Sequence, residues 1–259
     1  MGVDGLRRGA IMAASALPLL PRDPGLRQPA TGPSLSVLAT NVELSQRDAD
    51  RQARAVLAVD ADVLCIIEAT EATVAALARA GIATTHPHCS DDHDPGYFGS
   101  FIASRHLITG RWTGDLGGRP GHWVDLDVAG RAARVAAVHT QAPIHDEDVA
   151  VWHSTIASAA ALAAAPHPVV LAGDWNTTGG HLPFRRALAR HDLVDAQARR
   201  GHRWWPTWPV DHSVLGLSLP PVLALDHVVV SQDVAVRSLE RIAIPACDHR
   251  AVRAALRLP

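Results

Sequence analysis

Eight polar residues stand at or near the ends of separate apolar runs, where their side chains could act together in chemistry. Asp226 lies inside its run, and each of the others follows one. Because functional side chains of α/β folds collect at strand ends along one edge of a sheet, we expect this set to converge. The set comprises Asn41, Glu68, His139, Asp174, Asn176, Asp226, Asp248 and His249.

The residue types in this set favour phosphate chemistry assisted by a hard divalent metal. Glu68, Asp174 and Asp248 supply carboxylate oxygens, which suit Mg²⁺ or Mn²⁺ better than Zn²⁺. The two asparagines add neutral oxygens or donors, and the two histidines can donate to phosphate oxygens or shuttle protons near neutral pH. Such a set fits phosphate-ester hydrolysis, in which charge neutralisation and an activated water do most of the work.

Each residue alone also has a purely structural interpretation. An acid after a strand commonly forms a turn or caps a helix, and Gly173–Asn176 could be a simple turn. Asp248–Arg250 could equally begin a solvated strand. The functional interpretation therefore depends on six such features occurring at strand ends in one chain.

Alternating strand and helix patterns supply the elements that would position these residues. The predicted strands are Leu35–Thr40, Val63–Ile67, Tyr97–Ala103, His106–Trp112, His122–Val128, Ala133–His139, Val169–Ala172, Leu223–Ser231, Val234–Ile244 and Ala251–Leu256. The predicted helices are Gln46–Val59, Glu71–Ala80, Asp148–Ala165 and Leu182–Arg190. The middle strands indicate an antiparallel meander. The order predicts an α/β fold in residues 34–259, a four-layer sandwich of two packed mixed or antiparallel sheets with helices outside.

Composition and charge limit the partners. Hydrophobic residues make up 47%, which is enough for a sizeable core. A net charge of −2 and scattered arginines do not favour a nucleic acid as substrate, although a patch formed on folding would still allow one. Cys65, Cys89 and Cys247 are odd in number and widely spaced, so we expect free thiols. We also expect a monomer.

Residues 1–33 predict a leader that precedes the domain. Arg7–Arg8 come before the apolar stretch Gly9–Leu20, which has the length of a signal-peptide core and is too short to span a bilayer. An export signal, a membrane tether and a disordered leader all fit, and Pro21–Pro33 is typical of a proline-rich linker. An exported or membrane-associated protein is slightly favoured, with membrane contact through the N-terminus.

The order of the polar residues resembles that of the endonuclease/exonuclease/phosphatase superfamily, over residues 35–257. The resemblance implies a divalent-metal-dependent hydrolase of a phosphate mono- or diester, with Mg²⁺ or Mn²⁺ as cofactor. The ester could belong to a nucleic acid, a lipid-linked compound or a small molecule. The resemblance is carried by Asn41, Glu68, Val138–Thr140, Leu171–Asn176, Leu225–Val228 and Cys247–Val252, and by Ser104–Arg105 after a strand.

The same resemblance implies a metal-binding group. Glu68 would hold the metal with support from Asn41, and Asp248 would assist the metal or the neighbouring histidine. Two positions depart from the family pattern. Cys247 stands where many members have serine, and His227 stands where others often have tyrosine. Neither departure removes a required ligand.

The resemblance implies catalytic roles as well. Asp174 would position or activate the attacking water, and Asn176 would orient the phosphate. His249 would contact the phosphate or act as a base, with Asp226 orienting it. His139 would donate to a phosphate oxygen or protonate the leaving group.

Three alternatives stay open in the sequence. His86–Asp94 invites comparison with a dinuclear zinc motif, but its spacing is wrong, and a polar loop near the cleft is expected instead. Trp204, Trp205 and Trp208 belong either to a loop packed on the domain or to a substrate wall or membrane-touching rim. A non-hydrolytic protein that retains the fold, as a binding module or a catalyst of other chemistry, is the contrasting function.

Overall fold

The computed structural model describes residues 30–44, 48–202, 204–210, 212–214 and 217–259. The predicted leader Gly9–Leu20 lies outside the described residues, as does most of the linker Pro21–Pro33. None of the described helices combines the length and the apolar character needed to cross a membrane. Export and membrane contact therefore stay predictions.

Strands account for most of the regular structure. Those in the described residues are β1 (Ser34–Asn41), β2 (Val63–Ile67), β3 (His88–Asp92), β4 (Ser100–Ser104), β5 (Leu107–Asp115), β6 (Pro120–Val128), β7 (Arg131–His139), β8 (Val169–Asp174), β9 (Leu193–Asp195), β10 (His212–Val214), β11 (Leu217–Leu219), β12 (Asp226–Ser231), β13 (Ala235–Ala243) and β14 (Arg250–Arg257).

The strands form two six-stranded sheets and a small hairpin of β10 and β11. The first sheet has the order β13-β14-β1-β2-β4-β3, and the second has the order β5-β6-β7-β8-β12-β9. Each sheet is mixed, because β1 pairs in parallel with β2 and β7 pairs in parallel with β8, while the other pairs are antiparallel.

Helices cover the outer faces of the two sheets. They are α1 (Ala49–Leu57), α2 (Glu71–Arg79), α3 (Ile82–Thr85), α4 (Asp148–Ala161), α5 (Leu182–Arg190) and α6 (Ala196–Arg199), with a 3₁₀ turn at Leu162–Ala164. Local sequence explains two of the helix starts. The Asp48 side chain accepts a hydrogen bond from the backbone N–H of Arg51, and Thr70 and Thr73 form a capping box at α2.

Three apolar clusters hold these layers together. The largest fills the space between the sheets, with alternate residues of each strand such as Val252 and Ala254 of β14 and Val228 and Val230 of β12. A second cluster lies between the first sheet and α1 and α2, and a third lies between the second sheet and α4 and α5. The predicted four-layer sandwich of two mixed sheets with helices outside is therefore confirmed.

Two details of the sequence prediction were wrong. The segment His86–Asp94 is not a loop throughout, because His88–Asp92 forms edge strand β3 against β4. The middle strands are not one meander either. Strand β4 belongs to the first sheet, whereas β5, β6 and β7 form an antiparallel series in the second. The chain crosses between the sheets at Ser104–Leu107.

Candidate active site

Strand pairing brings the predicted polar residues to one end of the sandwich. In the second sheet, Asp174 at the end of β8 is the register partner of both His139 on β7 and Asp226 on β12. In the first sheet, Asn41 ends β1 beside Ile67, the last residue of β2, and Glu68 follows directly. Both parallel pairs therefore end at the same place.

Asn41, Glu68 and Asp174 form one side of the site. The Asn41 Nδ2 donates to Glu68 Oε1 at 2.9 Å and lies 3.5 Å from Asp174 Oδ2. The backbone N–H of Leu44 donates to Glu68 Oε2 at 2.6 Å. One amide thus links a carboxylate from each sheet across the sandwich.

His249 and Asp226 form the other side. The His249 Nδ1 lies 2.9 Å from Asp226 Oδ2, and its Nε2 lies 3.7 Å from Asp174 Oδ2. All three residues are buried. The pairing through Nδ1 fixes the ring and leaves Nε2 directed toward Asp174.

His139 faces the same space from β7. Its Nδ1 lies 2.8 Å from the carbonyl oxygen of Tyr97, so this nitrogen carries a proton and donates it to the carbonyl. Its Nε2 lies 3.9 Å from both Glu68 Oε1 and Asp174 Oδ2. Tyr97 is a contact that sequence patterns missed, because a backbone carbonyl in a loop leaves no residue signature.

The turn after β8 is shaped by backbone conformation. The Asn176 N–H donates to Asp174 Oδ1 at 2.7 Å, and its Nδ2 donates to the Thr140 carbonyl at 3.0 Å. Asn176 adopts a left-handed φ of 45°, and Glu68 adopts one of 57°. A Cβ on Gly173 would lie 2.0 Å from the Val138 carbonyl oxygen, so glycine is required where β8 approaches β7.

Burial dominates the electrostatics of the carboxylates. It raises the pKa of Glu68 against hydrogen bonds from Asn41 and the Leu44 backbone. It also raises the pKa of Asp174 to about 6, although His249 opposes the shift. Buried carboxylates with raised pKa values are typical of functional sites, where a cation or proton is expected nearby.

The two histidines of the site shift in opposite directions. Burial lowers the pKa of His139, and the nearby Asp174 and the Tyr97 carbonyl only partly offset it. Burial also lowers the pKa of His249, but Asp226 and Asp174 outweigh it and raise that pKa. At neutral pH the structure thus holds a neutral His139 and a positively charged His249.

Asp248 is placed differently from the other predicted residues. Its Oδ2 accepts a hydrogen bond from Trp208 Nε1 at 3.1 Å, and its backbone carbonyl accepts one from the Val210 N–H. Its charge still raises the pKa values of Glu68 and His249, so it lies near the site. Seven of the eight predicted residues thus form hydrogen bonds or ion pairs with one another or with the backbone of the site. The eighth, Asp248, directs its carboxylate toward Trp208 instead.

Thr207 was also missed by sequence reasoning. Its buried hydroxyl accepts hydrogen bonds from the N–H groups of Leu225 and Asp226, at 3.1 and 3.3 Å. It therefore fixes the start of β12 from a segment that carries no strand pattern. The neighbouring tryptophans divide their tasks: Trp205 packs on the inter-sheet core, Trp204 is 70% exposed, and the Trp208 ring lies 6.3 Å from that of His249.

The segment His86–Asp94, for which the spacing argued against a metal motif, does not assemble a metal group. His86 is buried, and its Nε2 hydrogen bonds to the Ala61 carbonyl at 3.0 Å. His93 pairs with Asp91 at the surface. Within the described ranges, the one group of three or more ligand-type side chains is Asp174, Asp226 and His249, with ligand atoms within 4.8 Å of one another.

The side chains present fit a small hard cation. In the group just named, His249 and Asp226 are bound to each other, so the oxygen donors left at the site are the carboxylates of Glu68 and Asp174. Asn41 supports them through its Nδ2, because its Oδ1 accepts from the Glu43 N–H. Carboxylate oxygens are the ligand type that Mg²⁺ and Mn²⁺ prefer. The buried Asp226 Oδ1 has no hydrogen-bond partner among the described residues, so it is a further oxygen left for a cation or a ligand at the same place.

The sequence model of the endonuclease/exonuclease/phosphatase family matches residues 38–249, which include every residue of the site. The chain belongs to this family. The family resemblance predicted from the sequence is therefore confirmed. No curated protein matches the chain by sequence.

Solved structures of family members share the fold. An endonuclease/exonuclease/phosphatase from Beutenbergia cavernae aligns with a TM-score of 0.69 and 21% identity, covering 87% of this chain and 72% of that one. TDP2 from D. rerio, complexed with a single-strand DNA product, gives 0.68 and 15%, covering 86% and 98%. Sphingomyelinase C from Streptomyces griseocarneus gives 0.64 and 17%, covering 86% and 99%.

Proposed function

We propose that this family member is a divalent-metal-dependent phosphoesterase. The observation that carries the proposal is one buried site in which Asn41, Glu68 and Asp174 converge beside the paired His249 and Asp226. A purely structural cluster would pair its carboxylates with fixed cations, whereas here His249 keeps Nε2 directed into the site. The family and its solved members named for DNA and sphingomyelin chemistry support a phosphate ester as substrate.

Glu68 would hold the metal in this proposal, with support from Asn41, which donates to its carboxylate. Bound Mg²⁺ or Mn²⁺ would neutralise phosphate charge and favour ionisation of a water. The predicted part of Asp248 is indirect, because its carboxylate is held by Trp208 and acts on Glu68 and His249 through its charge. Asp248 would thus assist the site from its edge.

The pKa shifts of His249 and Asp174 support a specific catalytic role for each residue. His249 is charged because two carboxylates outweigh its burial, so it would donate from Nε2 to a phosphate oxygen, while Asp226 holds the ring through Nδ1. Asp174 would accept the proton of the attacking water, since burial makes its carboxylate a stronger base than usual. Asn176 would orient the phosphate through the second N–H of its amide.

His139 would contact the substrate beside His249, since the Nε2 of each ring lies within 4 Å of the Asp174 carboxylate. In its neutral form its Nδ1–H donates to Tyr97, so its Nε2 offers a lone pair to the site. Donation to the leaving group would therefore follow proton uptake at Nε2. The ring also packs against Phe98, with centroids 5.3 Å apart, which fixes its orientation.

Hydrolysis of bis-p-nitrophenyl phosphate and p-nitrophenyl phosphate tests the activity, with Mg²⁺, with Mn²⁺ and with a chelator. We expect turnover with either metal and none with the chelator. Asp174→Ala and His249→Ala should each lower kcat/KM by roughly 10²–10⁴-fold, the usual range for a lost acid or base. The matched control is His93→Ala, which removes an exposed histidine and should leave kcat/KM unchanged.

Retention of activity in Asp174→Ala or His249→Ala would contradict the assignment of the site. If neither ester is hydrolysed and Mn²⁺ still binds tightly, the non-hydrolytic class is favoured instead. A panel of DNA, phospholipids, nucleotides and prenyl phosphates then identifies the group that carries the phosphate.

A further inference from the structure

Two arginines of the first sheet face the space between the sheets, at the end where the site lies. Arg241 on β13 is the register partner of Val252 on β14, whose side chain is part of the inter-sheet core. Arg250 stands two residues before Val252 on the same strand, and alternation places it on the same face. Arg250 also follows His249 directly.

The two guanidinium groups are close neighbours of like charge. Diagonal positions on adjacent strands have Cβ atoms roughly 7–8 Å apart or less, within reach of two long side chains. Burial lowers the pKa of Arg241, and the charge of Arg250 lowers it further. Like charges on one face of a sheet destabilise it unless an anion lies between them.

Neither arginine has a carboxylate partner in the described part of the chain. The Arg241 Nη1 donates to the Pro206 carbonyl at 3.0 Å, and its guanidinium stacks 4.5 Å from the centre of the Trp205 ring. The Arg250 Nε is shielded from solvent and has no acceptor. In contrast, Arg253 on the opposite face of β14 pairs with Glu240 at 2.9 Å.

We infer that Arg241 and Arg250 form a binding subsite for a phosphate-class oxyanion beside the catalytic residues. A partly buried cation without a counter-ion is costly, whereas two guanidinium forks match the geometry of a tetrahedral oxyanion. The Trp205 ring and the Pro206 carbonyl hold Arg241 in place, so little side-chain freedom is lost on binding.

The subsite predicts which substrates the enzyme prefers, and this prediction rests on the proposed function. The Arg250 N–H donates to the Thr207 carbonyl and Arg241 donates to the Pro206 carbonyl, in the segment whose Thr207 hydroxyl accepts from the Asp226 N–H. Because the arginine pair thus lies beside the start of β12, an ester bound in the active site would extend toward it. The enzyme would then prefer esters that carry a second phosphate near the one being hydrolysed. The alternative is that the oxyanion bound at this subsite is free phosphate and not part of the substrate.

Phosphate binding to the metal-free protein tests the subsite without requiring turnover. Thermal unfolding is followed with a chelator present, with inorganic phosphate or with chloride at equal ionic strength. We expect phosphate alone to raise the Tm of the wild-type protein and of Asp174→Asn. The increment should vanish in the double variant R241Q/R250Q and persist in R253Q, the matched control on the opposite face.

Arginine side-chain NMR of the folded wild-type protein gives a second measurement. Phosphate should shift the Nε–H signals of Arg241 and Arg250 and leave that of Arg253 unchanged. In R250Q the phosphate Kd should rise by on the order of tenfold or more, because a charge-assisted hydrogen bond is lost. An unchanged phosphate increment in the double variant, or no shift at either arginine, would overturn the subsite.

A substrate pair separates the two sources of oxyanion. Thymidine 5′-(p-nitrophenyl phosphate) is compared with the same ester carrying a 3′-phosphate. We expect kcat/KM to be on the order of tenfold higher for the doubly phosphorylated ester in the wild-type protein, and equal for both in R241Q/R250Q. Equal values in the wild-type protein would overturn the preference for a second phosphate, and phosphate binding would then identify free phosphate as the occupant.

Discussion

Two adjacent residues of strand β12, Asp226 and His227, each belong to a histidine–aspartate ion pair. The two pairs lie on opposite sides of the sheet. Asp226 faces the site, where its Oδ2 lies 2.9 Å from His249 Nδ1. His227 faces the helices, where its Nδ1 lies 3.1 Å from Asp195 Oδ2. Each pair is buried, and each uses the same nitrogen of the imidazole.

The pairs differ in what the second ring nitrogen contacts. Among the residues that the structure describes, the nearest ion-pair partner of the His249 Nε2 is the Asp174 carboxylate at 3.7 Å, which is beyond hydrogen-bond distance. The His227 Nε2 lies 2.9 Å from the Thr177 carbonyl and 3.1 Å from that of Ala224. With acceptors on both nitrogens, His227 carries both protons and stays charged.

Under the proposed function, an imidazole–carboxylate pair can act in chemistry only when one ring nitrogen is left for a ligand, and of these two pairs the His249 pair meets that condition. The His227 pair instead joins β9, β12 and the loop around Thr177, and so supports the strand that carries Asp226. The pKa shift has the same direction in both pairs, so the contacts of the second ring nitrogen, and not the charge, distinguish them. Burial lowers the pKa of His227, but Asp195 outweighs it and raises that pKa.

The largest expected effect separates the pairs by activity. Asp226→Asn should lower kcat by up to roughly 10⁴-fold, as for the aspartate of a serine protease triad, because an amide no longer stabilises the proton on His249 Nδ1 and favours the wrong tautomer. Asp195→Asn should leave kcat per folded molecule within a few-fold of the wild-type value. Steady-state hydrolysis of an aryl phosphate measures both, after folded protein is quantified by circular dichroism. Equal losses in the two variants would remove the distinction.

The next effect separates the pairs by stability. His227→Phe should lower the free energy of unfolding by about 3–5 kcal/mol, because the buried Asp195 loses its cation. Urea unfolding measures the change. The double variant Asp195→Asn with His227→Phe should recover part of the loss, since no buried charge is then left alone. A loss below about 1 kcal/mol in the single variant would argue against a charged His227.

The smallest expected effect is on the pH dependence of stability, and it involves a third buried histidine. His122 lies between the Ser90 and Ser100 hydroxyls, at 2.7 and 2.9 Å, and burial lowers its pKa to about 4. The folded protein holds it neutral, while the unfolded chain takes up a proton below about pH 6.5. Stability should therefore fall by about 3 kcal/mol as pH drops from 6.5 to 4.

The contribution of His227 to stability changes with pH in the opposite direction, because the pKa of His227 is raised in the folded protein. Its contribution is complete below pH 6.5 and is lost as pH rises through the folded pKa. Urea unfolding across pH should show His122→Gln flattening the acid side relative to the wild-type protein and His227→Phe flattening the alkaline side. Parallel curves for the wild-type protein and both variants would mean that neither histidine has the assigned charge.

The elements that could be predicted from the sequence are those with strong local patterns. Val63–Ile67 and Leu182–Arg190 have the predicted bounds, because one is a continuous apolar run and the other has a helical apolar face. Strand β3 could not be predicted, since its sequence His-Cys-Ser-Asp-Asp has no apolar alternation. Its pairing with β4 defines it, and that pairing depends on the fold.

In the site, too, local sequence patterns could be predicted and contacts that depend on the fold could not. Membership could be predicted because polar residues after apolar runs are visible in the sequence, as for Glu68 after β2. The orientation of Asp248 could not, because it depends on Trp208, forty positions away. Likewise, nothing near His227 in the sequence reveals Asp195 as its partner, since the two residues meet only when β9 pairs with β12.

The left-handed backbone at Glu68 and Asn176 limits how this protein can be improved. Each residue has a φ that costs roughly 1–2 kcal/mol for a side chain other than glycine, somewhat less for asparagine. Glycine at either position would relieve that cost, yet it would delete a group that the site uses. Selection for thermostability alone would therefore drift toward inactive variants at these two positions.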